Sequence, residues 1–411
     1  MSLGGDTMLK KTNELKVMRD PVHGYIHVEY QVIWDCINAK EFQRLRRIHQ
    51  LGGTYEVYHT AEHSRFAHSL GVYEVCRRMV NEVSGLKELS EIDKVTVMCA
   101  ALLHDLGHGP FSHAFESITP VAHEVYTQRV ILEDTEINAV LRQVSDDFPS
   151  KVASIIDYSH PNELLNQIVS GQLDADRMDY LLRDAYFTGT SYGKFDLERI
   201  LRTMRVRDNK IVVKESGIHS VEDYIMARYH MYWQVYYHPV GRSYEAILYS
   251  IFKRMKDLYK QDKTCLNDLQ MFIPFLKQED TISDHFKLDE NAALYGFTLL
   301  SEGNDPILRD LSRRMLNRDL FEYETIHDQL DLDIIVDKVK EMGYDPEYYV
   351  ITDSAKQSPY KPYKGGEGHN IWILREDDSI QELSKISNIV SAIVRGNQKE
   401  DKKAFYPKIN G

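Results

Sequence analysis

Hydrophobic positions recur at helical spacing along most of the first 260 residues. Apolar side chains repeat along one face of EYQVIWDCINAKEFQRLRRIHQLGG (29–53) and of SRFAHSLGVYEVCRRMVNEV (64–83), and each pattern predicts an amphipathic helix. The segment EIDKVTVMCAALLHDLGHGP (91–110) is apolar almost all round, which predicts a central buried helix that ends at its glycines and proline. Further helical patterns cover about 122–133, 137–145, 148–157, 162–170, 174–186 and 219–259.

Strand patterns are few and short. Two β-branched runs flank Asp208 and Asn209 in MRVRDNKIVVKE, which predicts a small β-hairpin. Two more strands are predicted at EYYVIT (347–352) and NIWILR (370–375). The stretch between them is rich in Lys, Pro and Gly, which indicates a loop.

The composition of the chain changes near residue 260, after which charged stretches interrupt the helical pattern. Residues 1–14 are polar and are expected to form an N-terminal tail, with 1–6 as a candidate expression remnant. We therefore predict a mainly α fold, with a helical core and a small β-hairpin over 15–260 and a smaller α+β C-terminal part over 261–411.

The overall composition is that of an ordinary globular protein, with 43% hydrophobic and 27% charged residues. The longest purely apolar run, Val97 to Leu103, is far shorter than the roughly 18 residues of a membrane span. A net charge of −13 argues against a nucleic-acid coat but allows a locally basic pocket for a small phosphorylated ligand. Four scattered cysteines without a CxxC pair, and no secretory h-region, indicate a cytoplasmic protein with free thiols.

Histidine and aspartate residues lie in apolar helical segments where packing alone does not explain them. They are His68, the adjacent pair His104-Asp105, and Asp176, spaced 36 and then 71 residues apart. One buried His or Asp is usually a satisfied core residue, but a buried carboxylate beside an imidazole needs a partner. Imidazole and carboxylate together suit a first-row divalent metal, whereas Ca²⁺ prefers oxygen ligands alone. The pattern therefore predicts a metal site.

This His…His-Asp…Asp arrangement resembles the HD phosphohydrolase superfamily, with its motif region at 65–181. The strings RDPVHGYIHV, FQRLRRIHQLGG, HSRFAHSLGVYE, LLHDLGHGPFSHAFE, HEVYT, LDADRMDYLLRDAYFTG and YYHPVGR are similar to those of the deoxynucleoside triphosphate (dNTP) triphosphohydrolases. That group includes bacterial dGTPases and sterile-alpha-motif/HD enzymes. The resemblance spans about residues 16 to 260, and we expect the chain to lack the sterile-alpha-motif domain.

The resemblance implies a role for each matching residue, beginning with the metal and the phosphates. The implied metal ligands are His68, His104, Asp105 and Asp176. The identity of the divalent ion (Mg²⁺, Mn²⁺, Zn²⁺, Ni²⁺ or iron) stays open. The implied phosphate-binding residues are Arg65, Arg177 and Arg228. Guanidinium groups suit a triphosphate, and the alternative for each arginine is a solvated helix face.

A second implied set would perform proton transfer and bind the sugar. The implied catalytic histidines are His108, His113 and His123. An imidazole titrates near neutral pH, and His113 is our candidate acid for the departing 5′-oxygen, although the division of labour among the three stays open. The implied sugar-binding residues are Gln50, Tyr180, Asp184 and Tyr236. Tyr180 and Asp184 follow Asp176 at successive helical turns, so independent of the resemblance all three should share one face.

The implied function is a metal-dependent hydrolase that splits a dNTP, dGTP among them, into deoxynucleoside and inorganic triphosphate. Two alternatives are another nucleotide phosphohydrolase of the HD superfamily and a non-catalytic nucleotide-binding regulator. In the family a second nucleotide orders an active tetramer, so we expect a homo-oligomer with a dNTP or NTP effector. The matching effector positions are Lys16, Val17, Asn38, Arg46 and Arg199. In the family an aspartate at the position of Asn38 recognises guanine, so the resemblance does not imply a guanine-specific effector here.

Overall fold

The computed structural model describes residues 9–119, 121–262, 266, 268–356, 370–395 and 400–408, with the side chains of His113 and Lys356 excepted. The helices are α1 Gln31–Asn38, α2 Lys40–Arg44, α3 Arg65–Glu82, α4 Glu91–Leu103, α5 His123–Leu132, α6 Glu136–Arg142, α7 Phe148–Ile156, α8 Glu163–Ser170, α9 Ala175–Thr188, α10 Leu197–Thr203, α11 Ile218–Met231, α12 Pro239–Gln261, α13 Ile273–Lys277, α14 Ile282–Lys287, α15 Glu290–Ser301, α16 Pro306–Leu316, α17 Gln329–Glu341, α18 Pro346–Tyr349 and α19 Asn388–Arg395. The strands are β1 Lys11–Asp20, β2 Gly24–Tyr30, β3 Met204–Arg207, β4 Lys210–Lys214, β5 Glu322–Thr325, β6 Ile351–Lys356, β7 Trp372–Leu374, β8 Ile380–Glu382 and β9 Glu400–Tyr406. The mainly α-helical fold predicted from the sequence is confirmed. Among these residues, no helix combines the length and the apolar character needed to cross a lipid bilayer.

The first hydrophobic core surrounds α4, which packs against α3, α7 and α8. Every residue of α4 from Val95 to Leu103 is buried, which confirms the helix predicted to be apolar on all sides. The Ser90 hydroxyl caps this helix by accepting a hydrogen bond from the Asp93 amide. Because α3 also packs against α9, the helices that carry the predicted metal ligands are held together by one core.

The second core lies between α12, α15, α16 and the antiparallel sheet with strand order β5–β9–β6. Rings of Phe252, Phe272 and Phe297 contact one another inside it. The Arg242 guanidinium on α12 bonds to Asp353 on β6 and to Asp401 on β9, both at 2.7 Å. The C-terminal strands are therefore fixed to α12 by apolar contacts and by two ion pairs.

Another sheet, of strand order β3–β4–β7–β8, connects the C-terminal part to the first core. The predicted hairpin of β3 and β4 is confirmed, with Asp208 and Asn209 at φ of 49° and 56° in its turn. Strand β7 runs parallel to β4, and Ile371 and Ile373 are buried in the first core. Residues after 260 thus contribute to both cores, and α12 continues across that boundary to Gln261.

The structure differs from the predicted elements at several points. The helix predicted over 29–53 is divided into α1 and α2 by Ala39, whose backbone is extended. The helix predicted over 219–259 is interrupted by a π-helical turn, and α12 starts afresh at Pro239 because proline suits a first helical turn but not a helix interior. The hairpin of β1 and β2 was not predicted, and β1 begins at Lys11, inside the segment expected as a tail. At EYYVIT the structure has α18 followed by β6, which begins only at Ile351. Most of the predicted loop, 357–369, lies outside the described residues.

Candidate functional site

The four predicted metal ligands converge from three helices. His68 lies in the first turn of α3, His104 and Asp105 directly follow α4, and Asp176 lies in the first turn of α9. His68 Nε2 is 3.1 Å from Asp176 Oδ1 and 3.8 Å from Asp105 Oδ2. His104 Nε2 is 3.3 Å from Asp105 Oδ1 and 3.7 Å from Asp176 Oδ1. The sequence spacing therefore brings two imidazoles and two carboxylates to one point.

The hydrogen bonds around this cluster leave its ligand atoms directed at one another. His68 Nδ1 lies 2.8 Å from the Asp179 carboxylate and His104 Nδ1 lies 2.9 Å from the Ala101 carbonyl, and both of these groups can only accept. Each Nε2 is then the ring nitrogen that faces the carboxylates, and it would present its lone pair to a bound metal ion. His104 Nε2 is buried and has no hydrogen-bond partner among the described residues. Two imidazoles and two carboxylates in this state fit a first-row divalent cation.

Electrostatics keep the cluster charged. Burial alone would raise the pKa of Asp105, but the charges of His104 and Arg65 outweigh it and hold that pKa well below its usual value. Burial lowers the pKa of His68, yet the hydrogen bonds that its ring donates to Asp176 and Asp179 raise it to about 10, so Nε2 carries a proton that a metal ion would replace. The carboxylates thus carry negative charge in a buried place, which a cation would compensate.

Two of the three predicted catalytic histidines lie beside the cluster. The rings of His108 and His123 stack with centroids 3.7 Å apart, and His108 Nε2 is 3.4 Å from Asp105 Oδ1. Burial and the Arg65 charge hold the pKa of His108 well below its ordinary value, so this imidazole is neutral near pH 7. Asp105, His108 and His123 also form a group that could hold a metal ion. The side chain of His113 lies outside the described residues.

The predicted sugar-binding residues line the same cavity as the cluster. This cavity, of about 520 Å³, is bordered by His68, Asp105, Asp176, His108 and His123 and also by Gln50, Tyr180, Asp184 and Tyr236. The shared face predicted for Asp176, Tyr180 and Asp184 on α9 is therefore observed. Asp184 accepts hydrogen bonds from Tyr236 and from His63 Nε2, each at 2.7 Å. The Gln50 side-chain oxygen is buried and lacks a hydrogen-bond partner within the described part of the chain.

The three predicted phosphate-binding arginines are placed differently from one another. Arg65 lines the cavity, where it pairs with Asp105 and donates to Ser112 Oγ at 2.8 Å. Arg177 instead pairs with Asp174, and Arg228 donates to the Gln172 side chain at 3.2 Å. Within the described residues, these two guanidinium groups do not border the cavity.

The five predicted effector residues occupy two regions. Lys16 and Asn38 both contact Trp34, and Arg46 stacks on the Phe66 ring at 3.6 Å. Val17 is exposed on β1 beside Lys16. Arg199 donates to the Ser216 carbonyl and borders a separate surface cavity of about 620 Å³.

Sequence reasoning missed the polar residues that support the site from behind. They include His63, which bonds to Asp184, and Asp179, which bonds to His68. Asp179 lies three residues after Asp176 on α9, so helical spacing was a usable signal for it. His63 lies 121 residues before its partner, and no local pattern marks that contact.

Comparison with known proteins gives the family. Residues 65–184 match the HD domain and residues 195–296 match the HD associated region. Uncharacterized protein YwfO of Bacillus subtilis is 49% identical over 405 residues, covering 97% of this chain and 93% of that protein. Deoxynucleoside triphosphate triphosphohydrolase SAMHD1 of Bos taurus is 32% identical over 285 residues, covering 59% of this chain and 48% of that protein.

A solved structure agrees with this assignment over the whole fold. The crystal structure of a phosphohydrolase from Bacteroides thetaiotaomicron superimposes with a TM-score of 0.82 at 30% sequence identity, covering 96% of this chain and 100% of that one. The motif match, the relatives and the shared fold all agree. This chain belongs to the HD-domain family of proteins that resemble the dNTP triphosphohydrolases.

Proposed function

We propose that this protein hydrolyses a dNTP to a deoxynucleoside and inorganic triphosphate. The observation that carries the proposal is one cavity bordered both by the His/Asp cluster and by a polar set that suits a deoxyribose. The HD domain supports the hydrolase class, and the name of the SAMHD1 relatives supports the substrate class.

The sugar is proposed to bind between Tyr180, Gln50 and Asp184. Each Asp184 oxygen already accepts one hydrogen bond, from Tyr236 or His63, which fixes the carboxylate and leaves a lone pair on each oxygen for a 3′-hydroxyl. The unpartnered oxygen of Gln50 is a second acceptor in the same cavity. The Tyr180 ring would pack against C2′ and leave no room for a 2′-hydroxyl.

The phosphate end is proposed to lie at the His/Asp cluster. His68, His104, Asp105 and Asp176 would hold a divalent ion, which supplies Lewis-acid stabilisation of charge on the phosphoryl oxygens. Arg65 stands beside Asp105 and would contact the same oxygens. Arg177 and Arg228 would bind the remaining phosphates after leaving their present partners.

Proton transfer is proposed to involve the histidines. Water adds to the α-phosphorus, the bond from phosphorus to the 5′-oxygen breaks, and the 5′-oxygen takes a proton. His113 is the candidate donor. His123, whose Nδ1 lies 2.9 Å from the Glu116 carboxylate, would take up the proton that the attacking water releases.

Product analysis tests the reaction. The protein is incubated with each dNTP, alone and in mixtures, with Mg²⁺ or Mn²⁺, and the products are separated by ion chromatography. Triphosphate and deoxynucleoside are expected. Pyrophosphate and deoxynucleoside monophosphate would refute attack at the α-phosphorus and favour another HD-type phosphohydrolase. No hydrolysis under any condition would favour a nucleotide-binding regulator.

We also propose that the protein acts in the cytoplasm as a homo-oligomer, most simply a tetramer, activated by a dNTP or NTP bound near Lys16, Val17, Asn38, Arg46 and Arg199. The support is the presence of cationic side chains at the matched positions and the assembly implied by the family resemblance. Light scattering and rates measured with pairs of nucleotides test it. A monomer with hyperbolic kinetics that no second nucleotide changes would refute it.

A further inference from the structure

A buried set of charged groups connects the β1–β2 hairpin to the metal-ligand candidate His68. Asp179 on α9 is fully buried, and its two oxygens accept hydrogen bonds from three different side chains. His68 Nδ1 lies at 2.8 Å and His23 Nε2 at 2.6 Å, while Arg183 donates through Nε and Nη2, both at 2.9 Å. One carboxylate therefore holds the cluster histidine and a histidine of the hairpin at the same time.

The hairpin supplies this contact from its turn. Asp20 Oδ1 accepts hydrogen bonds from the amides of Val22 and His23, both at 2.9 Å, and this fixes the backbone that carries His23. Asp20 Oδ2 also accepts a hydrogen bond from Arg183 at 2.9 Å. The hairpin turn thus reaches Asp179 by two routes, directly through His23 and indirectly through Asp20 and Arg183.

The place occupied by Asp179 is shaped for its carboxylate. Gly71 on α3 lies opposite, and a Cβ atom there would be 1.9 Å from Asp179 Oδ1 and 2.3 Å from Arg183 Nη2. Only a glycine lets the two helices approach this closely. The side chain of His23 is 3% exposed, so water does not compete for the contact.

A carboxylate in this position has a defined chemical effect on His68. Because Asp179 can only accept, it keeps a proton of His68 on Nδ1, so that Nε2, which faces Asp105 and Asp176, is the nitrogen that would bind a metal ion. Partners of this kind fix the tautomer and ring orientation of metal-binding histidines. Replacement of Asp179 by asparagine would offer an N–H donor to Nδ1, which favours the tautomer that cannot bind a metal.

We propose that Asp179 and His23 are positioning residues for His68, so that the docked β1–β2 hairpin completes the metal centre. The inference rests on the proposed function in one respect, that the His/Asp cluster holds a divalent ion. It assigns to the hairpin turn a role that neither the HD domain match, which starts at residue 65, nor the ligand motif contains.

Metal affinity tests the proposal without reference to turnover. The full-length protein is freed of metal by chelation and titrated with Mn²⁺ by calorimetry, as wild type, Asp179→Asn, His23→Ala and His23→Gln. Loss of such a supporting partner typically weakens metal binding about 10- to 100-fold, and we expect this for Asp179→Asn and His23→Ala. His23→Gln should recover part of the loss, because its amide N–H can still donate to Asp179.

His27→Ala is the matched control. His27 lies on the same hairpin, and its imidazole contacts a carboxylate, Glu74, that does not touch the cluster. Its Mn²⁺ affinity should equal that of wild type. Folded His23→Ala and Asp179→Asn proteins that bind Mn²⁺ within twofold of wild type would overturn the proposal and leave the proposed function standing. Wild-type protein that binds neither Mn²⁺ nor, in the same titration, Mg²⁺, Zn²⁺, Ni²⁺ or Fe²⁺ would overturn both.

Discussion

The 3′-hydroxyl of the substrate offers a direct test of the role proposed for Asp184. Both oxygens of this buried carboxylate are fixed, one by His63 and one by Tyr236, at 2.7 Å each. A hydroxyl that donates to such a charged acceptor contributes about 1.5–3 kcal/mol. Removing the hydroxyl should therefore lower kcat/KM roughly 10- to 150-fold, because each 1.36 kcal/mol is a factor of ten.

The assay compares kcat/KM for a dNTP and for the corresponding 2′,3′-dideoxynucleotide. In Asp184→Asn the amide group replaces one acceptor by a donor, so the preference for the 3′-hydroxyl should fall to a few fold. Glu245→Gln is the control, because Glu245 borders the same cavity and has a carboxylate of its own. A preference that persists in folded Asp184→Asn, or that disappears in Glu245→Gln, would refute the assignment of Asp184.

Three further predictions concern the metal, the sugar and the packing of the site. Asp176→Ala should lose bound metal and activity while its helical circular dichroism stays unchanged. His113→Ala should retain the metal but have a lower kcat. Elemental analysis and rate measurements check both variants. Tyr180→Ala should raise turnover of ribonucleotides relative to dNTPs, measured as a ratio of kcat/KM values. Gly71→Ala should lower the free energy of unfolding by about 3 kcal/mol or more, because the added Cβ would meet a carboxylate oxygen at 1.9 Å. The Cβ of Gly241→Ala would meet nothing within 4 Å, so this variant should raise the free energy of unfolding by about 0.5–1 kcal/mol. Urea unfolding measures both changes.

Most helices could be predicted because their signals are local, and the ligand cluster could be predicted because its residues and spacing resemble a family motif. His104 and Asp105 are neighbours at the end of one apolar helix, and Asp176, Tyr180 and Asp184 follow helical spacing. The β1–β2 hairpin could not be predicted in this way, because β1 is mostly exposed and its sequence has only three apolar residues, Leu15, Val17 and Met18. The polar partners of the site were missed for a related reason. His23 and Asp179 are 156 residues apart, and only the packing of the hairpin against α9 brings them together.

The arginines show how far a matched position determines an interaction. The resemblance places Arg177 and Arg228 at the phosphates, and the backbone of α9 and α11 puts both residues near Tyr180. Their guanidinium groups nevertheless lie on Asp174 and Gln172. Under the proposed function a triphosphate must therefore compete with Asp174, a fully buried carboxylate, for Arg177. Exchange of that ion pair would couple phosphate binding to the start of α9, where Asp174 caps the helix and Asp176 faces the metal ligands.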